Sequence, residues 1–137
     1  MKVFFDTNIL VYLFDASSPA KQRIARELLE RHTRAGETLL STQVLQEFYV
    51  TVTRKLVTPL QPETALEVLK ELAVMPTVRV DTALILTAAR FSRERQLSFW
   101  DALIVRAAIE GAASRLYSED LQHGQVFETL TVENPLR

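Results

Sequence analysis

Short apolar runs alternate with longer amphipathic stretches along this chain, a pattern that predicts strands separated by helices. Val3, Phe4 and Phe5 are consecutive apolar residues, as in a short strand buried on both faces. A helix is expected from Thr7 to about Asp15. Ser17 or Ser18 can cap a second helix with Pro19 at its first position, running to about Arg34, where Gly36 stops it. Thr38 to Ser41 reads as a second strand, followed by a helix from about Gln43 to Leu56. Thr58-Pro59 and Gln61-Pro62 are turn and helix-start signals, and Glu63 to Ala73 is amphipathic at helical period. Met75-Pro76 breaks that helix before a third strand at Val78 to Val80. Asp81 or Thr82 caps a helix to about Arg95, and Ser98 caps another from Phe99 to about Ala112, with Gly111 near its end. Arg115 to Tyr117 is a fourth strand, and Leu130 to Val132 a fifth.

Strands joined through helices imply an α/β fold whose parallel sheet is covered on both faces. The expectation is a three-layer α/β/α arrangement with a central parallel sheet of four to five short strands, in a single domain spanning residues 1–137. An apolar content of 47% with 24% charged residues belongs to a soluble globular chain, not a disordered one. Cysteine is absent, which excludes disulfides and thiolate-held metals. The two histidines, His32 and His123, lie in polar surroundings and are expected to be exposed.

Asp6 interrupts the first apolar run after three residues, so the N-terminus does not read as a signal peptide, and Ile9 to Phe14 is too short to cross a bilayer. No membrane role and a cytoplasmic location are expected. The net charge of −1 does not by itself announce a nucleic-acid partner. The basic groups at Lys21 to Arg34, Arg54-Lys55 and Arg90 to Arg95 read as solvated helix faces, although acids gathered in one pocket leave bases elsewhere.

Four acids change the picture. Asp6 follows the first strand, and in open α/β sheets ligands bind just beyond the carboxyl ends of strands. Taken alone, Asp6 or Thr7 reads as a helix cap. Glu47 lies at the edge of an apolar helix face beside Val44 and Val50, where a boundary glutamate reaching for water is the plain alternative. Asp101 shares its helix side with Ile104, Val105 and Ala108; an ionised carboxylate there is costly unless paired or bound to a cation. A capping box with Ser98 is compatible with that role, and the helix N-terminus should help keep Asp101 ionised. Asp120 follows the strand at Arg115 to Tyr117, with Glu119 as the rival acid beside it. A parallel sheet carries all four positions to one edge, where they repel unless a divalent cation neutralises them. Oxygen-only ligation suits Mg²⁺ or Mn²⁺.

Phe5-Asp6-Thr7-Asn8, Glu47, Phe99-Trp100-Asp101-Ala102 and Ser118-Glu119-Asp120 fall in the order and spacing of the PIN domain. The chain resembles in particular the short VapC-type toxin ribonucleases, along essentially its whole length. One departure stands out: Ser118 replaces the usual threonine of the last motif, and Leu121-Gln122-His123-Gly124 follows where an acid and an aromatic are common.

The resemblance implies a PIN-like fold and a Mg²⁺- or Mn²⁺-dependent endoribonuclease acting on RNA, paired with an inhibitory antitoxin protein and often a homodimer. In that scheme Asp6, Asp101 and Asp120 hold metal, and Glu47 completes the acidic pocket and orients a water. Asn8 and Ser41 stand behind the acids to orient them, with N-capping as the alternative for both. Trp100, beside Leu97 and Phe99, reads as a core or interface residue, with stacking on a base as the alternative. Leu10, Val11, Leu13 and Phe14 read as core, or else as an interface. Two other classes compete. An aspartyl-phosphate enzyme with Asp6 as nucleophile would need a second aspartate at position 8, where Asn8 stands. A non-catalytic PIN-like module binding RNA or protein would be expected to have lost some of the four acids.

Overall fold

The computed structural model describes residues 1–137. The elements in chain order are β1 (Lys2–Phe5), α1 (Thr7–Val11), α2 (Pro19–Arg34), β2 (Thr38–Ser41), α3 (Thr42–Arg54) and α4 (Pro62–Leu72). They continue with β3 (Thr77–Val78), α5 (Thr82–Arg95), α6 (Phe99–Glu110), β4 (Ala113–Tyr117), β5 (Val126–Phe127) and β6 (Leu130–Glu133). The strands lie in the order β3-β2-β1-β4-β6-β5, parallel except that β5 runs against β6.

Successive side chains on a strand face opposite sides of a sheet. Val3, Phe4 and Phe5 of β1 are all fully buried, so both faces of the central strand are covered by helices. The result is a three-layer α/β/α fold around a core of 30 buried apolar residues. Leu10 is in that core, and Val11, Leu13 and Phe14 pack against it half-buried. No helix is long and apolar enough to cross a membrane.

The sheet has one more strand than the sequence pattern suggests. β5 is only two residues long and turns back into β6 through Glu128, which adopts φ 57°. That left-handed position carries none of the glycine or asparagine that usually marks a tight hairpin. The first helix is also shorter than expected: α1 ends at Val11 and tightens into a 3-10 turn at Tyr12–Phe14. The third strand is shifted to Thr77–Val78.

His32 corrects the expectation of exposure. It is only 4% exposed, because the last turn of α2 presses it against the rings of Phe5 and Tyr117. Burial is tolerated because both ring nitrogens have partners: Nδ1 lies 2.8 Å from Glu37 Oε1, and Nε2 3.1 Å from the Tyr117 hydroxyl. His123 is exposed as expected, its Nδ1 accepting from the Asn134 backbone N–H at 3.0 Å.

What positions the site is the strand order. The chain leaves β1 toward β2 and β3 on one side, then returns to place β4 on the other. The carboxyl ends of β1 and β4 therefore flank a topological switch point, where open α/β sheets form their ligand crevices. Phe5 pairs with Tyr117, so the residues that follow each strand emerge level with one another.

Candidate active site

Asp6 emerges from β1, its backbone N–H donating to the Tyr117 carbonyl at 2.9 Å. The residue is only 4% exposed. Oδ1 accepts from the Thr7 backbone N–H at 2.7 Å, and Oδ2 from the Ser118 hydroxyl at 2.8 Å, with Asn8 Nδ2 at 3.5 Å. Burial pushes the Asp6 carboxyl from 3.8 up to about 7. The bonds from Ser118 and Thr7 oppose that rise, while the charges of Asp120 and Glu47 add to it.

Glu47 reaches over from α3. Oε1 accepts from the Thr7 hydroxyl at 2.7 Å, and Oε2 from Gln43 Nε2, one helical turn earlier, at 3.2 Å. Asp101 sits in the first turn of α6, where its backbone N–H donates to Ser98 Oγ at 3.1 Å, so the cap predicted from sequence is present. The helix end favours its ionised form through Ser98, as expected, but is outweighed. Burial raises the Asp101 pKa, Ser98 only partly offsets this, and Asp120 and Glu47 raise it further.

Asp120 is exposed at the mouth, with its backbone N–H bound to Ser118 Oγ at 3.1 Å. Asp120 and Glu47 each act on both Asp6 and Asp101, so the four acids share one electrostatic site. Thr7, Asn8, Glu47 and Asp120 line a cavity of about 760 Å³.

Glu119 turns away from this cluster. The Tyr12 hydroxyl donates to its Oε1 at 2.7 Å, and Lys21 Nζ to its Oε2 at 2.7 Å. Partial burial, the largest single influence, pushes the Glu119 pKa up, yet Lys21 and Tyr12 together draw it below the ordinary value.

Of the two residues expected behind the acids, the structure brings one to them. Asn8 bridges the strand ends, approaching Asp6 with Nδ2 and accepting the Glu119 backbone N–H through Oδ1 at 3.2 Å. Ser41 instead caps α3, accepting from the Val44 backbone N–H at 3.3 Å, and makes no hydrogen bond to any of the four acids.

Three supporting residues were missed in sequence: Thr7, Gln43 and Ser118. Thr7 and Ser118 lay inside the motifs already singled out, so polar neighbours of the acids were the available signal. Gln43 offered only its place four residues before Glu47. Ser118 makes up for the missing threonine, since its hydroxyl donates to Asp6 while accepting from the backbone N–H groups of Asp120 and Leu121. Trp100 corrects the expectation of a core position. It is 61% exposed, because the buried side of α6 begins at Ala102.

No three of the acids and histidines close into a ready-made cation cage. The donors are nonetheless all hard oxygens, gathered where burial and mutual repulsion disfavour their negative charge. Such a site fits a hydrated cation of the Mg²⁺ kind, which keeps several waters and takes only one or two carboxylates directly.

The sequence profile of the PIN domain matches residues 3–126 of the chain. The chain belongs to the PIN domain family. Solved structures with the same fold as this PIN domain include a toxin–antitoxin complex from Klebsiella pneumoniae, at 19% identity and TM-score 0.71, covering 98% of both chains. VapC20 of Mycobacterium tuberculosis, described as a toxin cleaving the sarcin–ricin loop, aligns at 19% identity and TM-score 0.68 over 87% of this chain and 90% of its own. VapBC2 from Rickettsia felis, bound to a DNA fragment from its promoter, aligns at 18% identity and TM-score 0.67, over 97% of this chain and 98% of the other. No curated protein matches the PIN domain described here in sequence.

Proposed function

We propose that this PIN-domain protein is a divalent-cation-dependent endoribonuclease, using Mg²⁺ or Mn²⁺, and the toxin of a toxin–antitoxin pair. The observation that carries the nuclease reading is the convergence of Asp6, Glu47, Asp101 and Asp120 on one electrostatic site at the β1–β4 switch point. Asp6, Asp101 and Asp120 would hold the cation, directly or through water. When bound, the ion supplies Lewis acidity toward the phosphodiester and favours ionisation of the attacking water.

The protein's own groups do the positioning. Ser118, Thr7 and Asn8 fix the Asp6 carboxylate, so its direction is set before any ligand arrives. Thr7 and Gln43 hold both oxygens of Glu47, which orients the water for in-line attack. The exposed Asp120 gives the substrate side of the site its negative edge. Neither histidine lines the cavity, so imidazole acid–base chemistry has no part in the scheme. The products are a 5′-phosphate and a 3′-hydroxyl.

An antitoxin partner is supported by the likeness in fold to the Klebsiella pneumoniae and Rickettsia felis toxin–antitoxin structures. Assembly as a homodimer and a cytoplasmic location complete the proposal. The test is cleavage of end-labelled RNA by purified protein with Mn²⁺, Mg²⁺ or EDTA. Cleavage with either ion, none with EDTA, and at least a hundredfold loss in Asp101→Asn with an unchanged circular dichroism spectrum is the expected result. Undiminished cleavage by that variant overturns the mechanism; Mn²⁺ uptake with no cleavage of any RNA would make the protein a binding module instead.

A further inference from the structure

The cavity that holds Glu47 and Asp120 is also lined by Trp100 and Lys55. Trp100 is the only tryptophan in the chain, and it stands 61% exposed, one residue from Asp101. Such a side chain forfeits the burial it could have had in the core. The residue nonetheless has partners at its ring and at its backbone. Phe99 meets the indole at a centroid distance of 5.1 Å and an interplanar angle of 76°. The Trp100 backbone carbonyl accepts from Gln43 Nε2 at 3.3 Å, and the same amide group donates to Glu47 Oε2 at 3.2 Å. Gln43 is itself 4% exposed, so a buried amide ties the backbone at Trp100 to one of the acids.

We propose that Trp100 is the platform on which an unpaired nucleobase of the RNA strand stacks while the neighbouring phosphate lies among the acids. The inference rests on the ribonuclease reading and names the substrate class as single-stranded or looped-out RNA. Bases in a duplex are already stacked, and only an unpaired base can present its face to an indole. Lys55, exposed on the same cavity, supplies the positive charge that a phosphate backbone needs beside so many carboxylates.

A single tryptophan makes the test direct. In EDTA, titration of the wild-type protein with a short unstructured RNA should quench the intrinsic fluorescence saturably. The same strand folded into a perfect hairpin stem should quench it weakly. Stacking on one aromatic contributes enough that Trp100→Ala should lower kcat/KM for unstructured RNA roughly tenfold or more, chiefly through KM, while Trp100→Phe stays within a few-fold. Cleavage by the wild type with neither quenching nor a kinetic effect of Trp100→Ala would overturn the platform and leave the nuclease reading intact. Loss of self-association in Trp100→Ala, with RNA kinetics unchanged, would assign the ring to a protein interface and also overturn it. Saturable quenching without cleavage under any divalent cation would sustain the platform and remove the nuclease reading.

Discussion

Replacing Asp6 by asparagine should stabilise the cation-free protein in alkaline solution. Burial moves the Asp6 carboxyl from 3.8 to about 7, so between those values the folded chain holds a proton that the unfolded chain has released. Stability is therefore lost as pH rises through this window. At about 1.4 kcal/mol per pH unit, the wild type bears roughly 1–2 kcal/mol of this cost at pH 5 and about 4 kcal/mol at pH 8. Asparagine has no such dependence, but it loses an acceptor. Ser118 Oγ and Asn8 Nδ2 would face an amide nitrogen in place of Oδ2, a loss of about 1–2 kcal/mol. Asp6→Asn should then match the wild type near pH 5 and exceed it by about 2 kcal/mol at pH 8. Urea unfolding in EDTA at pH 5, 6, 7 and 8 measures the difference. Excess Mn²⁺ at pH 8 should restore the wild type selectively, because a ligand of the folded state stabilises only the chain that binds it. Parallel pH dependences for the two proteins, or a less stable variant at pH 8, would refute the argument that burial and crowding strain this carboxylate.

Two further predictions concern a supporting hydroxyl and the choice between two neighbouring acids. Ser118→Ala removes the donor to Asp6 and the acceptor for two backbone N–H groups, and should cost about 1–3 kcal/mol in urea unfolding, with Ser118→Thr recovering most of it. Asp120→Asn should abolish cation-dependent cleavage while Glu119→Gln keeps it within a few-fold, since Glu119 is occupied by Lys21 and Tyr12; equal losses in an RNA cleavage assay would contradict this division.

Much of this protein was legible from its residues in order. Short apolar runs, helix caps at Ser98 and Asp81, and the prolines at 19 and 62 mark the strands and helices because these are local preferences. Asp6 could be placed at a strand end because the apolar run stops just before it, and Asp120 because its strand ends three residues earlier at Tyr117. Contacts between distant segments decided the rest. Glu119 and Asp120 are indistinguishable as neighbours, and Lys21, 98 positions earlier, takes one of them out of the site. His32 looks like a surface residue until Glu37 and Tyr117 are folded around it.

Ser41 and Ser118 show the division most clearly. Ser41 ends β2 and Ser118 follows β4, the two strands that flank β1, and the strand register carried forward brings both level with Asp6. A helix starts at Thr42, so the Ser41 hydroxyl is committed to the Val44 N–H, whereas no helix follows Tyr117 and the Ser118 hydroxyl is left to turn to Asp6. Sequence alone determined which residues carry oxygen and which segments end where, because those follow from local chemistry. Only tertiary structure decided which oxygens meet, and how strongly burial works against their charge, because both depend on what the rest of the chain packs around them.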